Sequence, residues 1–310
     1  MRDLLDRMTS LPTHHKCRDI SLHLLAFALS SRSAFFVLAN YANKSLRVET
    51  VFGLIYAESL SGDNQSYDNT VFINFCKKYV SQLQIRDFEF SEEPCAKLCD
   101  YLAGMTNLED VDTSPARVPL CHGFTREPKL ERYGKLLIAN PSFSTLNANM
   151  SFLDAVDRLP TKIHFPNLTK LVINVYILGK IDVSRFTRHT FPALNSVYFL
   201  ESRLSREGIK KLAEFCDITH RSISVVEIGI SKIPYKSQRV SRNFQHLDFI
   251  CEQFNKIKFH NKFTLTVNVP VRSIDIVELG EAAFVMEDDH RWSYKKDIND
   301  TSIIYNVFDK

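Results

Sequence analysis

The sequence has little of what most catalytic sites need. Only nine of its 310 residues are glycine, and none belong to a Gly-rich phosphate-binding loop of the dinucleotide or Walker type. The chain also lacks the G-x-S-x-G nucleophile elbow and the H-E-x-x-H zinc motif. Catalytic groups need not be close in sequence, but no pattern here favours an enzyme. We therefore expect a protein that is not an enzyme, with no catalytic residues and no cofactor.

The cysteines do not have metal-site spacing. There are seven of them, and an odd number without regular spacing indicates reduced thiols in a cytoplasmic or nuclear protein. Cys95 and Cys99 lie four apart on a predicted helix, whereas His14-His15 and Cys121-His122 lie elsewhere. No two of these pairs match a zinc finger. Because small apolar packing explains Cys95 and Cys99, we expect no metal ligands.

Long apolar runs are also scarce. The first residues contain two acids and no apolar core before Pro12, so we expect no secretory signal. The run at 20–42 is long enough to cross a bilayer, but His23 and Arg32 interrupt it and a charge in mid-membrane is costly. The serines at 30, 31 and 33 predict a break between two short helices. We therefore expect no membrane contact.

Charge is nearly balanced overall but unevenly placed. The net charge is only +3, so no global field marks a nucleic-acid-binding protein. Residues 87–112 carry eight acids and one base, and residues 203–262 carry twelve Lys or Arg and six acids. This distribution could orient a partner or simply reflect solvated helix faces. The basic segment 232–262 lacks a recognised binding module, so nucleic acid is kept only as the alternative partner.

A repeated phrase is the strongest feature of the sequence. Phe-Pro-Asn-Leu begins at Phe165 and Phe-Pro-Ala-Leu at Phe191, 26 positions apart, each followed by a strand-like run. An amphipathic helical pattern follows the second copy at 204–216. Each unit places apolar residues at the first, fourth and sixth positions of a strand. Self-similarity with a period of 20–50 residues indicates a repeat fold.

Weaker copies extend the repeat along the chain. The same apolar triplet begins at Val80, Leu108, Tyr133, Leu168, Leu194 and Ile223, with intervals of 25 to 35 positions. Helical patterns that begin at serine lie between them, at 91–102, 151–159 and 205–215. A strand at 264–269 and an irregular one near 274–279 follow. Because a strand–helix pair cannot bury its apolar face alone, stacking of these units predicts one continuous core.

The unit resembles a leucine-rich repeat of the ribonuclease-inhibitor or F-box-associated type over residues 80–230. The similarity lies in the Phe-Pro-x-Leu phrases and in the helix at 204–215. The sequence lacks the asparagine or cysteine that usually follows the strand. The resemblance implies an α/β fold: an irregular leucine-rich-repeat solenoid, with parallel strands on the concave face, helices on the convex face and an N-terminal helical cap.

The N-terminal segment is similar to an F-box. Leu11-Pro12, then Ile20, Leu24 and Leu25, match the Leu-Pro opening and helix spacing of that module, although Thr13 stands where an acid is usual. The resemblance implies that these five residues bind the adaptor of a cullin-type ubiquitin ligase. A plain helical cap explains the same apolar residues.

These features predict three domains and a binding function. We expect a helical N-terminal module at 1–79, a repeat solenoid at 80–285 and a C-terminal tail at 286–310. Strand alternation sends the residues between the core positions to the concave face. We predict a non-catalytic protein-binding scaffold that acts as the substrate receptor of a ubiquitin ligase in its more specific form. The protein-binding residues predicted on the concave face are Lys135, Leu137, Lys170, Val172, Asn195, Tyr198, Val225 and Glu227.

Overall fold

The structure is a computed structural model of the chain. It describes residues 17–51, 54–61, 66–67, 70–86, 92–113, 126–149, 164–175, 190–201, 205–219, 223–230, 240–259, 261–271, 284–288, 291–298 and 300–309. Helices are α1 (Cys17–Ser30), α2 (Arg32–Ser45), α3 (Thr70–Tyr79), α4 (Glu92–Ala103), α5 (Arg126–Ala139), α6 (Arg206–Thr219) and α7 (Val240–Phe254). Strands are β1 (Leu46–Val51), β2 (Leu54–Ser59), β3 (Ser66–Tyr67), β4 (Gln82–Ile85), β5 (Asp110–Asp112), β6 (Thr145–Asn149), β7 (Lys170–Val175), β8 (Ser196–Glu201), β9 (Val225–Ile230), β10 (Phe263–Val271), β11 (Val285–Asp288), β12 (Arg291–Ile298) and β13 (Thr301–Asp309).

The chain divides into two compact units, residues 1–163 and 164–310. Both units combine helices with β-strands, so the fold is mixed α/β. The predicted domain limits at 79/80 and 285/286 stay predictions.

The first unit builds its sheet from parallel strands followed by an antiparallel ribbon. Strands β4, β5 and β6 pair in parallel in chain order, and β1 pairs in parallel with β4. On the other side of β1, strands β2 and β3 add antiparallel pairs. The ladder sets Val48, Leu83, Val111 and Leu146 side by side, and all four are buried.

The second unit repeats this arrangement with more strands. Strands β7, β8, β9 and β10 are parallel and follow chain order, and β13 pairs in parallel with β10. Strands β12 and β11 complete the edge with antiparallel pairs. Here the ladder aligns the buried residues Leu171, Val197, Val226, Leu265 and Ile303.

The predicted apolar triplets form the core. The residues of the triplets that begin at Val80, Leu168, Leu194 and Ile223 are all buried. The rings of Phe165 and Phe191, the first residues of the two repeated phrases, stack with centroids 5.7 Å apart. The repeated phrase therefore packs copy against copy.

A backbone motif recurs at the strand starts. The carbonyl of Ser81 accepts from the amides of both Glu109 and Asp110, at 2.9 and 3.0 Å. The same two-donor pattern occurs at the carbonyls of Glu109, Thr169 and Asn195. Each of these residues immediately precedes or opens a strand, so the motif fixes the register of one repeat on the next.

The helices begin where serine caps predict them and pack in chain order. Ser205 Oγ accepts from the Gly208 amide at 3.0 Å at the start of α6, and Ser31 Oγ accepts from the Ala34 amide at 3.1 Å at the start of α2. The predicted break between two short helices is thus confirmed. Helix α4 contacts α5, and α6 contacts α7, so these neighbouring crossover helices lie on one side of their sheet. In the described part of the chain, no helix has the length and apolarity needed to cross a membrane.

The strand predicted at Tyr133, Leu136 and Ile138 is wrong. These residues belong to α5, and the strand of this repeat is β6. Its core triplet is Phe143, Leu146 and Ala148, all buried. The spacing misled because residues three apart also lie on one side of a helix.

Two further regions differ from the sequence prediction. The module at 1–79 is not only helical, since residues 46–51 and 54–59 are strands and β1 joins the parallel ladder. The stretch predicted as a tail contains β12 and β13, and Ile303, Tyr305 and Val307 of β13 are buried. Leu46, Val48 and Thr50 of β1 occupy every second position and face the core, as Ile303, Tyr305 and Val307 of β13 do, and this period-two signal was missed.

Candidate binding face

One face of the sheet in the second unit carries side chains that do not pack in the core. Alternate residues of β7–β10 and β13 point away from the buried ladder. Their central row, in register across five strands, is Val172, Tyr198, Glu227, Thr266 and Ile304. All five are half-buried. We call the side of the sheet that bears this row the open face of the second unit.

Tyr198 lies flat across the neighbouring strand. It pairs with Glu227 in the ladder, and its phenol oxygen sits over Gly229, two residues further along β9. A methyl group at position 229 would collide with this oxygen. The absence of a side chain at Gly229 therefore lets the tyrosine ring approach the backbone closely.

A hydrogen-bonded series of side chains runs beside the central row. Asn306 Nδ2 donates to Asn268 Oδ1 at 2.8 Å, and Asn268 Nδ2 donates to Glu227 Oε1 at 2.6 Å. We call these three residues the amide ladder. Its last acceptor, Asn306 Oδ1, is buried and has no donor among the described residues. The ladder therefore directs its donors toward the Glu227 carboxylate.

The environment of Tyr198 changes the pKa of its phenol. Partial burial of the ring raises the pKa of Tyr198, and the negative charge of Glu227 raises it further. The phenol consequently stays neutral and can donate a hydrogen bond at neutral pH. In the described structure Tyr198 has no hydrogen-bond partner.

The first unit carries a different set of side chains on the corresponding side of its ladder. Arg47 pairs with Glu58 at 2.6 Å, Arg86 pairs with Glu49, and Gln84 Nε2 donates to Asp112 at 2.9 Å. Glu49 is only 5% exposed. Both arginines named here are thus paired with carboxylates of the same face.

Five of the predicted protein-binding residues come together on the open face of the second unit. Val172, Tyr198 and Glu227 form three positions of the central row, and Lys170 and Val225 are exposed in the adjacent row, which also contains Ser196. Asn195 lies just before β8, where its Oδ1 accepts from the Ser224 hydroxyl and, at 3.3 Å, from the Ser224 amide. Its side chain therefore links two strand starts.

Lys135 and Leu137 do not belong to this face. Both lie on α5, because the strand predicted there is a helix. Leu137 is 2% exposed and packs in the core, and Lys135 Nζ pairs with Glu131 at 2.8 Å along the exposed side of the helix. The prediction that these two residues line a concave strand is wrong.

The predicted adaptor-binding residues are only partly described. Leu11 and Pro12 lie outside the described residues. Ile20, Leu24 and Leu25 lie on α1, where Leu24 is fully buried and Leu25 half-buried. Leu24 therefore packs in the core in this structure.

No metal or thiol site emerges from the described residues. They contain no group of three or more His, Cys, Asp or Glu that could hold an ion. Burial raises the pKa of the Cys76 and Cys216 thiols, while a hydrogen bond with Cys95 and then burial raise that of Cys99. Such thiols are poor nucleophiles at neutral pH.

The basic segment 232–262 is described from Val240 onward, apart from residue 260. Lys232, Lys236 and Arg239 fall outside the described residues. Lys256, Lys258 and Lys262 are exposed, and Lys256 pairs with Glu252 at 2.9 Å.

The amide ladder was not predicted from the sequence, although part of its signal was present. Thr264, Thr266 and Asn268 alternate with buried residues in β10, a strand that was predicted without assigning its outward positions. Asn306 was missed because β13 was taken for a tail.

Comparison of this chain with models of protein families, with curated proteins and with solved structures finds no match in any of the three.

Proposed function

We propose that this protein is a non-catalytic protein-binding scaffold, built as an irregular leucine-rich-repeat solenoid. Three observations support the solenoid. Parallel strands follow chain order within each unit, neighbouring crossover helices contact each other, and the two-donor carbonyl recurs at the strand starts. Repeats that contact only their neighbours produce this pattern.

The central row of the second unit carries the functional proposal. It presents the apolar side chains Val172 and Ile304 and the aromatic ring of Tyr198 in register with Glu227 and Thr266. An aromatic anchor beside apolar and polar groups is the composition of protein-interaction hot spots. The partner is therefore a protein that lies across the strands.

A comparison of three forms of the protein tests this proposal. Tagged wild type, Tyr198→Asp and Lys210→Asp are used to recover partners, with Lys210 as an exposed control on α6. We expect the wild type and Lys210→Asp to recover the same proteins and Tyr198→Asp to lose at least one of them. Identical recovery by all three folded forms would show that the open face is not the binding face.

In its more specific form, the proposal makes the protein an F-box-like substrate receptor that acts in the cytoplasm or nucleus. The pair of short helices after the Leu11-Pro12 motif supports this form. Two apolar side chains on these helices, Leu29 and Phe36, are 83% and 58% exposed and offer surface to an adaptor.

The test of this form must spare the sheet. Deletion of the first sixty residues would remove β1, which pairs with β4, and would damage the core. Leu11→Asp with Pro12→Ser is the better change, with Asn107→Asp, exposed in the turn after α4, as the control. We expect wild type and Asn107→Asp to bind a purified cullin-ligase adaptor and the double variant to bind at least tenfold more weakly. Absence of adaptor binding by the wild type would leave a scaffold without a ligase role.

A further inference from the structure

Glu227 is a carboxylate placed on a binding face without a cation. It is half-buried in the middle of the central row. Among the described residues, no Lys, Arg or His lies within ion-pair distance of it; its one hydrogen-bond donor is the neutral Asn268 amide. A partly buried charge needs a compensating partner, and the described structure supplies only part of this compensation.

Among the described residues, the nearest cations on the same face are too distant to neutralise Glu227. Lys170 is two strands away in the adjacent row, and Lys295 is three strands away opposite Ile304. At about 4.8 Å per strand these separations are roughly 10 and 14 Å, at or beyond the screening length of physiological salt.

The amide ladder holds the Glu227 carboxylate in place on this face. Asn306 donates to Asn268 and Asn268 donates to Glu227 Oε1, which leaves Asn306 Oδ1 as a buried acceptor without a donor among the described residues. A buried unsatisfied acceptor costs about 1–3 kcal/mol, so this orientation of the two amides gives up stability at Asn306 while it fixes the position of the carboxylate.

We propose that the open face binds a protein segment that inserts an arginine side chain between the Glu227 carboxylate and the ring of Tyr198. The inference rests on the proposed binding function and specifies the chemistry of the partner. One oxygen of Glu227 accepts from Asn268, which leaves the other for the guanidinium, and the aromatic ring offers a planar surface beside it.

Arginine fits this position better than lysine. A guanidinium is planar, stacks on aromatic rings and is more weakly hydrated than an ammonium, so it enters a half-buried site at lower cost. A charge-assisted hydrogen bond to a fixed carboxylate adds to this stacking. The flanking apolar residues Val172 and Ile304 can contact the methylene groups of the same side chain or the residues next to it.

The experiment uses the full chain and small defined probes. Acetyl-Gly-Arg-Gly-amide is titrated into labelled protein while NMR follows the side-chain amide signals of Asn268 and Asn306. Lysine and citrulline versions of the peptide serve as comparisons, because citrulline keeps the shape of arginine and removes its charge. We expect the arginine peptide to shift the Asn268 signal with a dissociation constant in the millimolar range, the lysine peptide to bind several-fold more weakly and the citrulline peptide at least tenfold more weakly.

Matched variants assign the binding to Glu227. Glu227→Gln keeps the shape and the Asn268 contact but removes the charge, and it should weaken the arginine peptide at least tenfold. The control is Glu207→Gln, the same chemical change at an exposed position of α6, which should leave binding unchanged.

Three outcomes would overturn the inference: no binding of the arginine peptide to wild type at 10 mM (roughly the weakest affinity at which a single side-chain contact is measurable), equal binding of the citrulline peptide, or full binding by a folded Glu227→Gln form. If Tyr198→Asp nevertheless loses a partner that wild type recovers, the scaffold function stands and only the arginine specificity falls. A partner that is a second copy of this chain would appear as concentration-dependent dimerisation.

Discussion

The open face of the second unit and the corresponding face of the first unit differ in how their charged side chains are paired. In the first unit Arg47 and Arg86 meet Glu58 and Glu49. In the second unit Glu227 has an amide neighbour but no cation among the described residues, and the phenol of Tyr198 makes no hydrogen bond there. Both faces come from the same alternation along parallel strands.

The difference separates a structural role from a binding role for equivalent positions. Side chains that satisfy one another rigidify a sheet, and removal of one leaves its partner buried and unpaired. Side chains with unused hydrogen-bonding capacity change the fold little when they are altered, but they remain available to a ligand. Loss of a paired side chain on either face should therefore cost stability, whereas loss of Glu227 or Tyr198 on the second face should chiefly cost binding.

The largest effect is expected for Arg86→Ala in the first unit. The change leaves the buried Glu49 carboxylate without its cation. Because Arg86 is itself about half exposed, we expect a loss of about 2–3 kcal/mol in the free energy of unfolding, below the ~3–5 kcal/mol of fully buried pairs. Denaturant titration measures it. Lys97→Ala, which breaks the exposed pair with Glu93, is the control and should change the stability much less, because exposed ion pairs contribute little.

Asn268→Ala should produce an intermediate effect in the second unit. It removes the donor to Glu227 and the acceptor for Asn306 together, and the buried Asn306 side chain then loses its one hydrogen-bond partner among the described residues. We expect a loss of about 1–3 kcal/mol in the free energy of unfolding. Asn255→Ala, at an exposed position after α7, provides the baseline. Equal stability of the two variants would contradict the amide ladder.

Gly229→Ala should cost about 1 kcal/mol, at the low end of the range for overpacking, because Tyr198 is half exposed and can swing away from the added methyl group. A double-mutant cycle checks the cause. In a Tyr198→Ala background the same substitution should be nearly neutral. A full cost in that background would place the clash somewhere other than the tyrosine ring.

Glu227→Gln should have the smallest effect on stability, within about 0.5 kcal/mol, because the glutamine can keep the contact with Asn268. Its effect on Tyr198 is more informative. Loss of the negative charge should lower the pKa of Tyr198 toward its ordinary value, while the contribution of burial, the larger cause, remains. Titration of the tyrosine ring by NMR reports this shift. An unchanged Tyr198 pKa would show that the charge of Glu227 does not act on the phenol. It would also weaken the case for an arginine site between the two side chains.

The raised pKa also predicts how this tyrosine affects stability at alkaline pH. A phenol that holds its proton more tightly in the folded state stabilises the fold fully below the unfolded pKa of about 10. This contribution is lost as the pH rises from there through the folded pKa. Tyr198→Phe should therefore lose less stability than the wild type between pH 9 and pH 11, a range around that pKa. An identical decline in both forms would show that Tyr198 does not contribute to it.

The repeat could be predicted from sequence where its residues are large and apolar. The triplets that begin at Leu168 and Leu194 start three positions after the phenylalanine of a Phe-Pro pair. The rings of these two phenylalanines stack in the structure. The repeat between them and β5 was misplaced because Asn140 stands where the two Phe-Pro copies have phenylalanine. Asn140 instead donates to the carbonyls of Leu102 and Met105, at 2.9 and 2.7 Å. Of the Phe-Pro pair, this repeat keeps only the proline, Pro141.

The candidate site was predictable only in part, for a physical reason. Tyr198 and Glu227 could be identified because alternation within a known strand determines which side a residue occupies. The amide ladder depends on β10 lying between β9 and β13, and a pairing between strands that far apart in the chain leaves no local pattern. The ion pairs of the first unit, between β1, β2 and the residue after β4, escaped for the same reason.

The central claim is that partner binding belongs to the open face of the second unit. The most direct measurement compares partner recovery after the same kind of change at one position of each face, Tyr198→Asp in the second unit and Gln82→Asp on the corresponding side of β4 in the first. Both positions are half-buried on parallel strands. The account predicts that Tyr198→Asp loses a partner that Gln82→Asp retains. Loss with Gln82→Asp and retention with Tyr198→Asp, both in folded protein, would contradict it.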